Sequence, residues 1–325
     1  MTVCFEFGGE ERLVAGDAEE NMGSACAEIA AALEDSQVFL SEPMKNHTSF
    51  RIGGPCDLLV VPRTKDDVIK AWSMCRSLGV PCYVAGNCTN LLVKDGGLRG
   101  CMIKLSPGFS GIMKGDGNRL KVWAGSLLGQ VVEASATLGL SGLEFAAGIP
   151  GSMGGAVTMN AGAYGSDISA LVTRVQVAAL DGSIDFMSAS SLDFSYRHSY
   201  FSNRDDLLIL SAELALVKGD TAQIRQTISK HLEDRRAKQP LDLPSAGSVF
   251  KRPDGKFVGQ MIEMLGLKGV SCGGAMVSPK HAGFIVNTGN ATARDVLTLM
   301  GLIQKKVYEE FGVMLEPEIV VIGED

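Results

Sequence analysis

The 325-residue sequence lacks several features that would place it in a specialised class of protein. It contains no uninterrupted run of about 18 apolar residues, so no membrane-spanning helix is expected. Its N-terminus has no basic segment followed by a long apolar one, which argues against a secretory signal. The formal net charge of −7 argues against a general nucleic-acid-binding protein, although local basic residues can still bind an anionic substrate.

Paired cysteines and aromatic residues are also scarce. The eight cysteines form no CxxC pair, so they resemble neither a zinc site nor a dense disulfide framework. We therefore expect reduced thiols, no bound metal and a cytoplasmic location. Aromatic residues make up only 6% of the chain, whereas glycine occurs 39 times. This combination predicts many places where the backbone closely approaches another backbone or a ligand.

Strand and helix patterns mix throughout the chain, which predicts an α+β fold. We expect a leader and helix at 1–40, with a mobile start over 1–20, and subdomains at 41–105 and 106–220. A C-terminal domain follows at 221–325. In the first subdomain, the helix "KDDVIKAWSMCRSLG" separates the strands "CDLLVVPRT" and "VPCYVAG", and "LLVKDGG" and "CMIKL" complete the unit. The second subdomain contains hairpins that turn at "GDGN" and at Asp181–Gly182.

Two glycine-rich segments are candidates for a binding site: "AGNCTNLLV" at 85–93 and "GIPGSMGGAVTMNAGAYG" at 148–165. Glycine allows backbone N–H groups to converge on an anion without clashes from Cβ atoms. Neither segment matches GxGxxG or the GxxxxGK[ST] phosphate loop, so tight turns between strands would also explain them. The second segment has no charged residue over its whole length. This favours a flat surface of backbone and small side chains against which a planar, nucleotide-type cofactor can lie.

Four polar segments supply candidates for catalysis and substrate binding, each with a structural alternative. Arg197 in "SYRHSYF" can clamp a carboxylate, or form an ion pair on a loop. Ser248 in "PSAGSVFKRP" can donate a proton if a bound water or another group supports it, or be an exposed loop serine. Glu318 in "LEPEIVVIG" precedes an apolar strand, and catalytic and binding residues are common at the ends of strands. Alternatively, Glu318 is an exposed carboxylate at the edge of a domain. Lys238 ends a basic helix, where it can also offset the helix dipole.

These segments, in this order, resemble the UDP-N-acetylenolpyruvoylglucosamine reductase family. The resemblance covers residues 46–323 and is carried by "NHTSFRIGGPCD", "GNCTNLLV", "GLEFAAGIPGSMGGAVTMNAGAYG", "SYRHSYF", "PSAGSVFKRPDG", "LKGVSCGGAMVSPKHAGFIVNTGNATARDV" and "LEPEIVVIG". It implies a two-part FAD-binding unit of the vanillyl-alcohol-oxidase type, followed by a C-terminal α/β domain that covers the substrate. The chain resembles the shorter type of the family, which lacks a tyrosine-bearing loop over the substrate.

The resemblance implies an NADPH-dependent flavin oxidoreductase of peptidoglycan precursor synthesis, and so a part in cell-wall biogenesis, cell shape, cell division and the cell cycle. Hydride would pass from NADPH through FAD to the enolpyruvyl group of UDP-N-acetylglucosamine enolpyruvate, giving UDP-N-acetylmuramate. Ser248 matches the proton donor, and Arg197 and Glu318 match residues that hold and polarise the substrate carboxyl group. Lys238 matches a lysine that contacts the uridine diphosphate, and Arg252 is added on electrostatic grounds. We expect a monomer with no nucleic-acid or membrane partner.

The resemblance also implies the residues that contact FAD. These are Gly86, Asn87, Cys88, Thr89, Asn90, Gly148, Ile149, Pro150, Gly151, Ser152, Gly154, Gly155 and Gly162. The first loop usually reads Gly-x-Gly-Ser-Asn in this family, so Cys88 stands where a glycine is usual, whereas Thr89 keeps the hydroxyl. A left-handed backbone at Cys88 would therefore be strained.

Two other functions compete with this interpretation. A flavin oxidase that uses oxygen would share the first two subdomains, but not the segments "PSAGSVF" and "LEPE". A non-catalytic nucleotide-binding protein would share the glycine-rich segments alone. The two rivals differ from the reductase in how a bound flavin is reduced and reoxidised.

Overall fold

The computed structural model describes the backbone of residues 3–5, 15–33, 35–202 and 204–325, and within these ranges the side chains from residue 21 onward. The strands are β1 (Val3–Phe5), β2 (Gln37–Pro43), β3 (Pro55–Val61), β4 (Cys82–Ala85), β5 (Leu91–Val93), β6 (Leu98–Lys104), β7 (Ile112–Lys114), β8 (Arg119–Trp123), β9 (Leu140–Ser141), β10 (Gly162–Ala163), β11 (Ser166–Asp167), β12 (Val172–Ala179), β13 (Ile184–Ser188), β14 (Leu207–Ala215), β15 (Val217–Lys218), β16 (Ser271–Cys272), β17 (Ala275–Val277), β18 (Ile285–Asn287) and β19 (Val320–Ile322). The helices are α1 (Ala15–Ala32), α2 (Lys65–Ser77), α3 (Leu128–Thr137), α4 (Met153–Thr158), α5 (Thr221–Lys238), α6 (Val258–Met264) and α7 (Ala293–Phe311).

The chain forms two compact units, and each is assembled from three segments of the sequence. The first unit comprises Met1–Glu42, Cys56–Asn87 and Arg99–Leu232, and the second comprises Pro43–Pro55, Cys88–Leu98 and Glu233–Asp325. The finer four-part division made from the sequence stays a prediction. The mobile leader expected over 1–20 falls mostly outside the described residues.

The first sheet of the first unit has the strand order β1-β4-β6-β3-β2, with β4 and β6 parallel. Helix α2 confirms the prediction for its segment. Its N-cap is Thr64, whose side chain accepts a hydrogen bond from the Asp67 amide. The buried residues of this helix are spaced three or four positions apart. This spacing places them on one side of the helix, which packs into the core. These residues are Val68, Ala71, Trp72 and Cys75.

The second sheet of the first unit is antiparallel, with the order β13-β12-β14-β8-β7. Both predicted hairpins are confirmed. At the β12–β13 turn, Gly182 adopts a φ of +82° and the Ser183 amide donates to Asp181 Oδ1 at 2.9 Å. One apolar cluster contains side chains from both sheets, including Leu58, Val60, Leu120, Val122, Val175 and Leu210.

The second unit contains the antiparallel sheet β16-β17-β18 and a separate parallel pair, β5-β19. The prediction that "LLVKDGG" belongs with the first β-α-β unit is wrong, because β5 pairs with β19 in the register Leu91↔Val320. Leu91, Leu92 and Val93 are all buried, and an apolar strand this short suits either sheet equally well. Helix α7 begins with a capping box at Thr292 and Asp295.

None of the helices in the described residues is long and apolar enough to cross a membrane. The cysteines with described side chains, seven in number, are free thiols. Among all the residues whose side chains are described, no group of three or more histidine, cysteine or acidic side chains is suited to a metal ion.

Candidate functional site

The glycine-rich segment, residues 148–165, packs against the end of strand β4 in the first unit. Helix α4 begins after Ser152, whose Oγ accepts a hydrogen bond from the Gly155 amide at 3.4 Å. A Cβ atom at Gly86 would lie 1.9 Å from Ser152 Oγ, and one at Gly154 would lie 2.9 Å from Ala124 Cβ. Two of the predicted glycines are therefore required for close approach of backbone segments.

A side-chain hydrogen bond also joins these two segments. The Asn87 amide group donates to the Pro150 carbonyl at 2.8 Å. Beside this contact a cavity opens within the first unit, and its lining includes Gly86, Gly154 and Gly155 together with Trp72, Val84, Leu105, Thr158 and Phe201. The structure thus brings together predicted cofactor residues that lie more than sixty positions apart in the sequence.

A buried hydroxyl beside Gly86 fits the binding of a polar ligand. Ser106 lies shortly after the end of strand β6. Its amide donates a hydrogen bond to the Gly86 carbonyl at 3.4 Å. Ser106 is fully buried, and its Oγ has no hydrogen-bond partner among the described residues. Leaving a buried hydroxyl unsatisfied costs about 1–3 kcal/mol. The ends of parallel strands are common ligand sites, so the bare glycines and this hydroxyl fit a polar dinucleotide such as FAD.

The remaining predicted FAD residues of this segment form the loop before α4 and the hairpin after it. Gly148 has a φ of +76°, the Ile149 amide donates to Ala146 at 3.0 Å, and the Gly151 carbonyl accepts from Leu128 at 3.0 Å. Gly162 has a structural reason to be glycine, because a Cβ atom there would lie 2.7 Å from the backbone oxygen of Ser166 in the paired strand β11.

The first glycine loop, residues 86–90, passes from the first unit into the second after Asn87. Cys88 is buried and has a φ of +51°, so this non-glycine residue adopts the left-handed backbone that would be strained at such a residue. The carbonyl groups of Cys88 and Thr89 accept hydrogen bonds from the amide and hydroxyl of Ser49, at 3.3 and 3.4 Å. Asn90 Nδ2 donates to the Glu318 carbonyl at 2.9 Å.

Arg197 lies in a tight turn of the first unit, Ser195–His198, which we call the Arg197 turn. The Ser195 amide donates to the His198 carbonyl at 3.1 Å, and the His198 amide donates back at 3.2 Å. Arg197 has a φ of +56°, and its Nη2 donates to the Gly162 carbonyl at 3.2 Å. His198 lies 3.8 Å from the exposed Asp193 carboxylate, as expected of a surface histidine.

Ser248 and Glu318 are neighbours within the second unit. Residues 248–250 lie between two other segments, because Ser248 forms a backbone bridge with Phe284 and Phe250 forms one with Pro317. The Glu318 amide donates to the Val249 carbonyl at 2.7 Å. Both Ser248 and Glu318 are half-buried, so their side chains keep some access to solvent.

A neutral histidine supports the segment that pairs with Ser248. His281 Nδ1 accepts a hydrogen bond from the Gly283 amide at 3.1 Å, and its ring contacts Phe284 edge-on at 5.0 Å between centroids. Burial lowers the pKa of His281 below its ordinary value. The neutral imidazole therefore keeps its acceptor nitrogen at pH 7.

The two predicted contacts to the uridine diphosphate are exposed cations of the second unit. Lys238 ends helix α5 and forms an ion pair with Asp234 at 3.5 Å. The guanidinium carbon of Arg252 lies 3.8 Å from the centroid of the Phe257 ring. The exposed Lys238–Asp234 ion pair contributes little stability.

Sequence reasoning missed two residues that the structure makes prominent, Ser106 and Asn160. Asn160 belongs to the glycine-rich segment and has a φ of +46° with its side chain buried. An asparagine among glycines is a known signal for left-handed backbone, so Asn160 could have been found from the sequence. No local signal marks Ser106, because its isolation depends on the packing around it.

Comparison with known proteins finds matching families for both units. A FAD-binding domain family matches residues 56–186, and the C-terminal domain family of UDP-N-acetylenolpyruvoylglucosamine reductase matches residues 239–322. A UDP-N-acetylenolpyruvoylglucosamine reductase of Caldanaerobacter subterraneus subsp. tengcongensis is 46% identical over 292 residues, which cover 90% of this chain and 96% of that protein. One from Syntrophomonas wolfei is 44% identical over 299 residues, covering 92% and 99%.

A solved structure gives the same result. The crystal structure of UDP-N-acetylenolpyruvylglucosamine reductase from Thermus caldophilus superposes with a TM-score of 0.74 at 34% identity, covering 88% of this chain and 98% of that one. The α+β class and the order of a FAD-binding region before the C-terminal domain are thereby confirmed. This chain therefore belongs to the UDP-N-acetylenolpyruvoylglucosamine reductase family.

Proposed function

We propose that the chain reduces the enolpyruvyl group of UDP-N-acetylglucosamine enolpyruvate to UDP-N-acetylmuramate, with NADPH as reductant, in peptidoglycan precursor synthesis. The observation that carries the proposal is the match of both units to this one family, at up to 46% identity over 90% of the chain. The chain is accordingly a FAD-dependent oxidoreductase that acts on a UDP-sugar.

Residues of the first unit and the first glycine loop would hold FAD. Gly86, Gly154 and Gly155 leave the backbone bare for the cofactor. The Ser106 hydroxyl, which has no hydrogen-bond partner among the described residues, would donate a hydrogen bond to the cofactor. The remaining predicted residues are those from Asn87 to Asn90 and from Gly148 to Ser152, which form the two loops, and Gly162 in strand β10. When bound, FAD supplies hydride transfer from NADPH to the methylene carbon of the enolpyruvyl group.

We assign the handling of charge and protons to three side chains. Negative charge develops toward the substrate carboxylate as hydride arrives, and Arg197 holds and polarises that group together with Glu318, which acts as a hydrogen-bond donor in its protonated form. A positioned charge or hydrogen bond of this kind is worth about 3 kcal/mol in the transition state. Ser248 donates the proton to the neighbouring carbon. Because a serine hydroxyl has a high intrinsic pKa, Ser248 needs a water or another group to replace its proton.

Lys238 and Arg252 are assigned to the diphosphate of the UDP-sugar. Both are exposed cations on a chain with a net charge of −7, so they provide local attraction for a dianionic ligand. We also propose a cytoplasmic, monomeric enzyme without a nucleic-acid partner, which acts in cell-wall biogenesis, cell shape and cell division. The free thiols of the described cysteines support a reducing compartment.

Anaerobic stopped-flow absorbance of the flavin separates the two half-reactions and tests the function. We expect NADPH to bleach the flavin and the enolpyruvyl substrate to restore its absorbance rapidly. Recovery with oxygen alone would favour a flavin oxidase. A purified protein without flavin absorbance would favour a non-catalytic nucleotide-binding protein.

Ser248→Ala tests the assignment of the proton donor. We expect reoxidation by substrate to slow by about 10²–10⁴-fold, because a general acid contributes that much, while reduction by NADPH stays unchanged. Ser271→Ala, at an exposed serine of the same unit, is the control and should change neither rate. Equal slowing of both half-reactions by Ser248→Ala would contradict the assignment.

A further inference from the structure

Asn160 connects three parts of the first unit through one buried side chain. It is 3% exposed. Its Nδ2 donates to the Ser195 carbonyl at 2.9 Å, and its Oδ1 accepts from the Ser169 amide at 3.1 Å. The amide group therefore uses both ends: one fixes the start of the Arg197 turn, and the other fixes the short helical turn that follows strand β11.

The Arg197 turn needs outside support, because its backbone is strained. Arg197 has a φ of +56°, a left-handed conformation that costs a non-glycine residue about 1–2 kcal/mol. Such conformations persist where the surrounding structure determines them, and they concentrate at functional sites. A turn released from its supports would relax this residue and move its guanidinium group.

The supports lie on both sides of Arg197. Before it, Ser195 is held by Asn160. After it, the hydroxyl groups of Ser199 and Ser202 both donate to the Thr158 carbonyl, at 2.7 and 3.0 Å. The second support consists of two hydroxyl groups, whereas the Ser195 carbonyl accepts one side-chain hydrogen bond in the described part of the chain, that of Asn160. Asn160 is therefore the more sensitive point.

We infer that Asn160 is a positioning residue that holds the Arg197 turn in the strained conformation from which Arg197 addresses the substrate carboxylate. The inference rests on the role proposed for Arg197. Asn160 acts through the Ser195 carbonyl and does not itself contact the substrate. Asparagine suits this position because it tolerates the left-handed backbone that Asn160 itself adopts, with a φ of +46°.

Two substitutions remove the support in different ways. Asn160→Gly keeps the left-handed backbone accessible and deletes the amide group. Asn160→Asp keeps the shape and the acceptor for Ser169, but sets a carboxylate oxygen against the Ser195 carbonyl. We expect both to slow flavin reoxidation by substrate about 10- to 100-fold, because small misplacements of a catalytic group have effects of this size. Flavin reduction by NADPH and the flavin spectrum should not change. Asn118→Gly, at an exposed asparagine of the same unit, is the control.

A double-mutant cycle shows whether the effect runs through Arg197. After Arg197→Ala, adding Asn160→Gly should slow reoxidation less than about 2-fold further, since residues that act as a unit are not additive. If the double variant slows reoxidation by the product of the two single effects, the inference is overturned. It is also overturned if both Asn160 variants reoxidise at the wild-type rate while Arg197→Ala reoxidises slowly. If Arg197→Ala itself reoxidises normally, the role proposed for Arg197 fails, and the inference fails with it.

Flavin kinetics cannot be measured on a variant that binds FAD poorly, so the second test is amide hydrogen exchange, which requires no turnover. Hydrogen exchange of the amides of Ser195 and His198, which bond each other's carbonyls in the turn, should accelerate in Asn160→Gly. Exchange at α3, in the same unit, should stay at the wild-type rate. Unchanged protection of the turn amides would overturn the inference independently of any kinetic result.

Discussion

In the first unit, the residues proposed to hold FAD act mainly through bare backbone and small side chains, whereas in the second unit charged groups and a hydroxyl are assigned to the substrate. Gly86 and Gly154 allow backbone segments to touch, and a Cβ atom at either would lie within 3 Å of a neighbouring side-chain atom. Ser248 and Glu318 instead lie on adjacent segments that backbone hydrogen bonds fix, so their side chains keep partial solvent access.

Substitutions in the two units should therefore affect different steps. A Cβ atom added at Gly86 or Gly154 should weaken FAD binding and so impair both half-reactions together. Removal of the Ser248 hydroxyl or the Glu318 carboxyl group should spare FAD binding and impair reoxidation by substrate alone. Arg197 is the exception that connects the two patterns, because it is a charged side chain carried by the first unit. The following predictions test the contrast, beginning with the largest effect.

Gly86→Ala should weaken FAD binding about 10- to 100-fold, measured by titration of the apoprotein with FAD and quenching of flavin fluorescence. The added Cβ would lie 1.9 Å from the buried Ser152 Oγ, and overpacking of this kind costs about 1–3 kcal/mol. Gly129→Ala makes the same chemical change in α3, where nothing lies within 4 Å, and should leave FAD binding unchanged.

A second substitution checks the cause of the Gly86 effect. Ser152→Gly removes the clashing hydroxyl and, at an N-cap position, costs only a few tenths of a kcal/mol. Gly86→Ala combined with Ser152→Gly should therefore bind FAD about as tightly as Ser152→Gly alone. Much weaker binding by the double variant than by Ser152→Gly would show that contact with Ser152 is not the reason for glycine at position 86.

Ser106→Ala should weaken FAD binding about 5- to 10-fold without lowering the stability of the apoprotein. The hydroxyl is buried without a partner among the described residues, so its removal relieves an unsatisfied group in the apoprotein and deletes a hydrogen bond in the holoprotein. The measurements are the FAD dissociation constant and the midpoint of urea unfolding without FAD.

Ser126→Ala is the matched control for Ser106. Ser126 is equally buried, but its hydroxyl both accepts from and donates to the Gly111 backbone at 2.9 Å. Its loss should lower stability by about 1–3 kcal/mol and leave FAD affinity unchanged. The role given to Ser106 is wrong if Ser106→Ala instead loses stability and keeps its FAD affinity.

The smallest effect is expected at Cys88, where we compare two substitutions. Cys88→Gly should be about 1 kcal/mol more stable than Cys88→Ala, because both delete the thiol and glycine alone accepts the φ of +51° without strain. Unfolding in urea measures the difference. FAD binding by Cys88→Gly should be unchanged or tighter than in the wild type, and markedly weaker binding would contradict the strain argument.

Local elements of the fold were the most predictable. Helix α2 has its cap, acidic first turn and spaced apolar face within a single short segment, and the β12–β13 hairpin has its Asp-Gly turn. Strand β5 was assigned to the wrong sheet because its three apolar residues carry no information about their partner. The assembly of each unit from three separate segments has no local signal in the sequence, since the segments of one unit are separated by long stretches of the other.

The chemical groups, the secondary structure with strong local signals and the family of the chain all follow from the order of its residues. The same holds for the presence of a side chain at the strained position of Cys88. Three features depend instead on how distant segments pack: β5 pairs with β19, the Ser106 hydroxyl has no hydrogen-bond partner among the described residues, and the Asn160 side chain donates to the Ser195 carbonyl across 35 positions of sequence. The reason is physical: capping and periodicity act within a few residues, whereas a hydrogen bond or its absence in a packed interior depends on residues that only folding brings together.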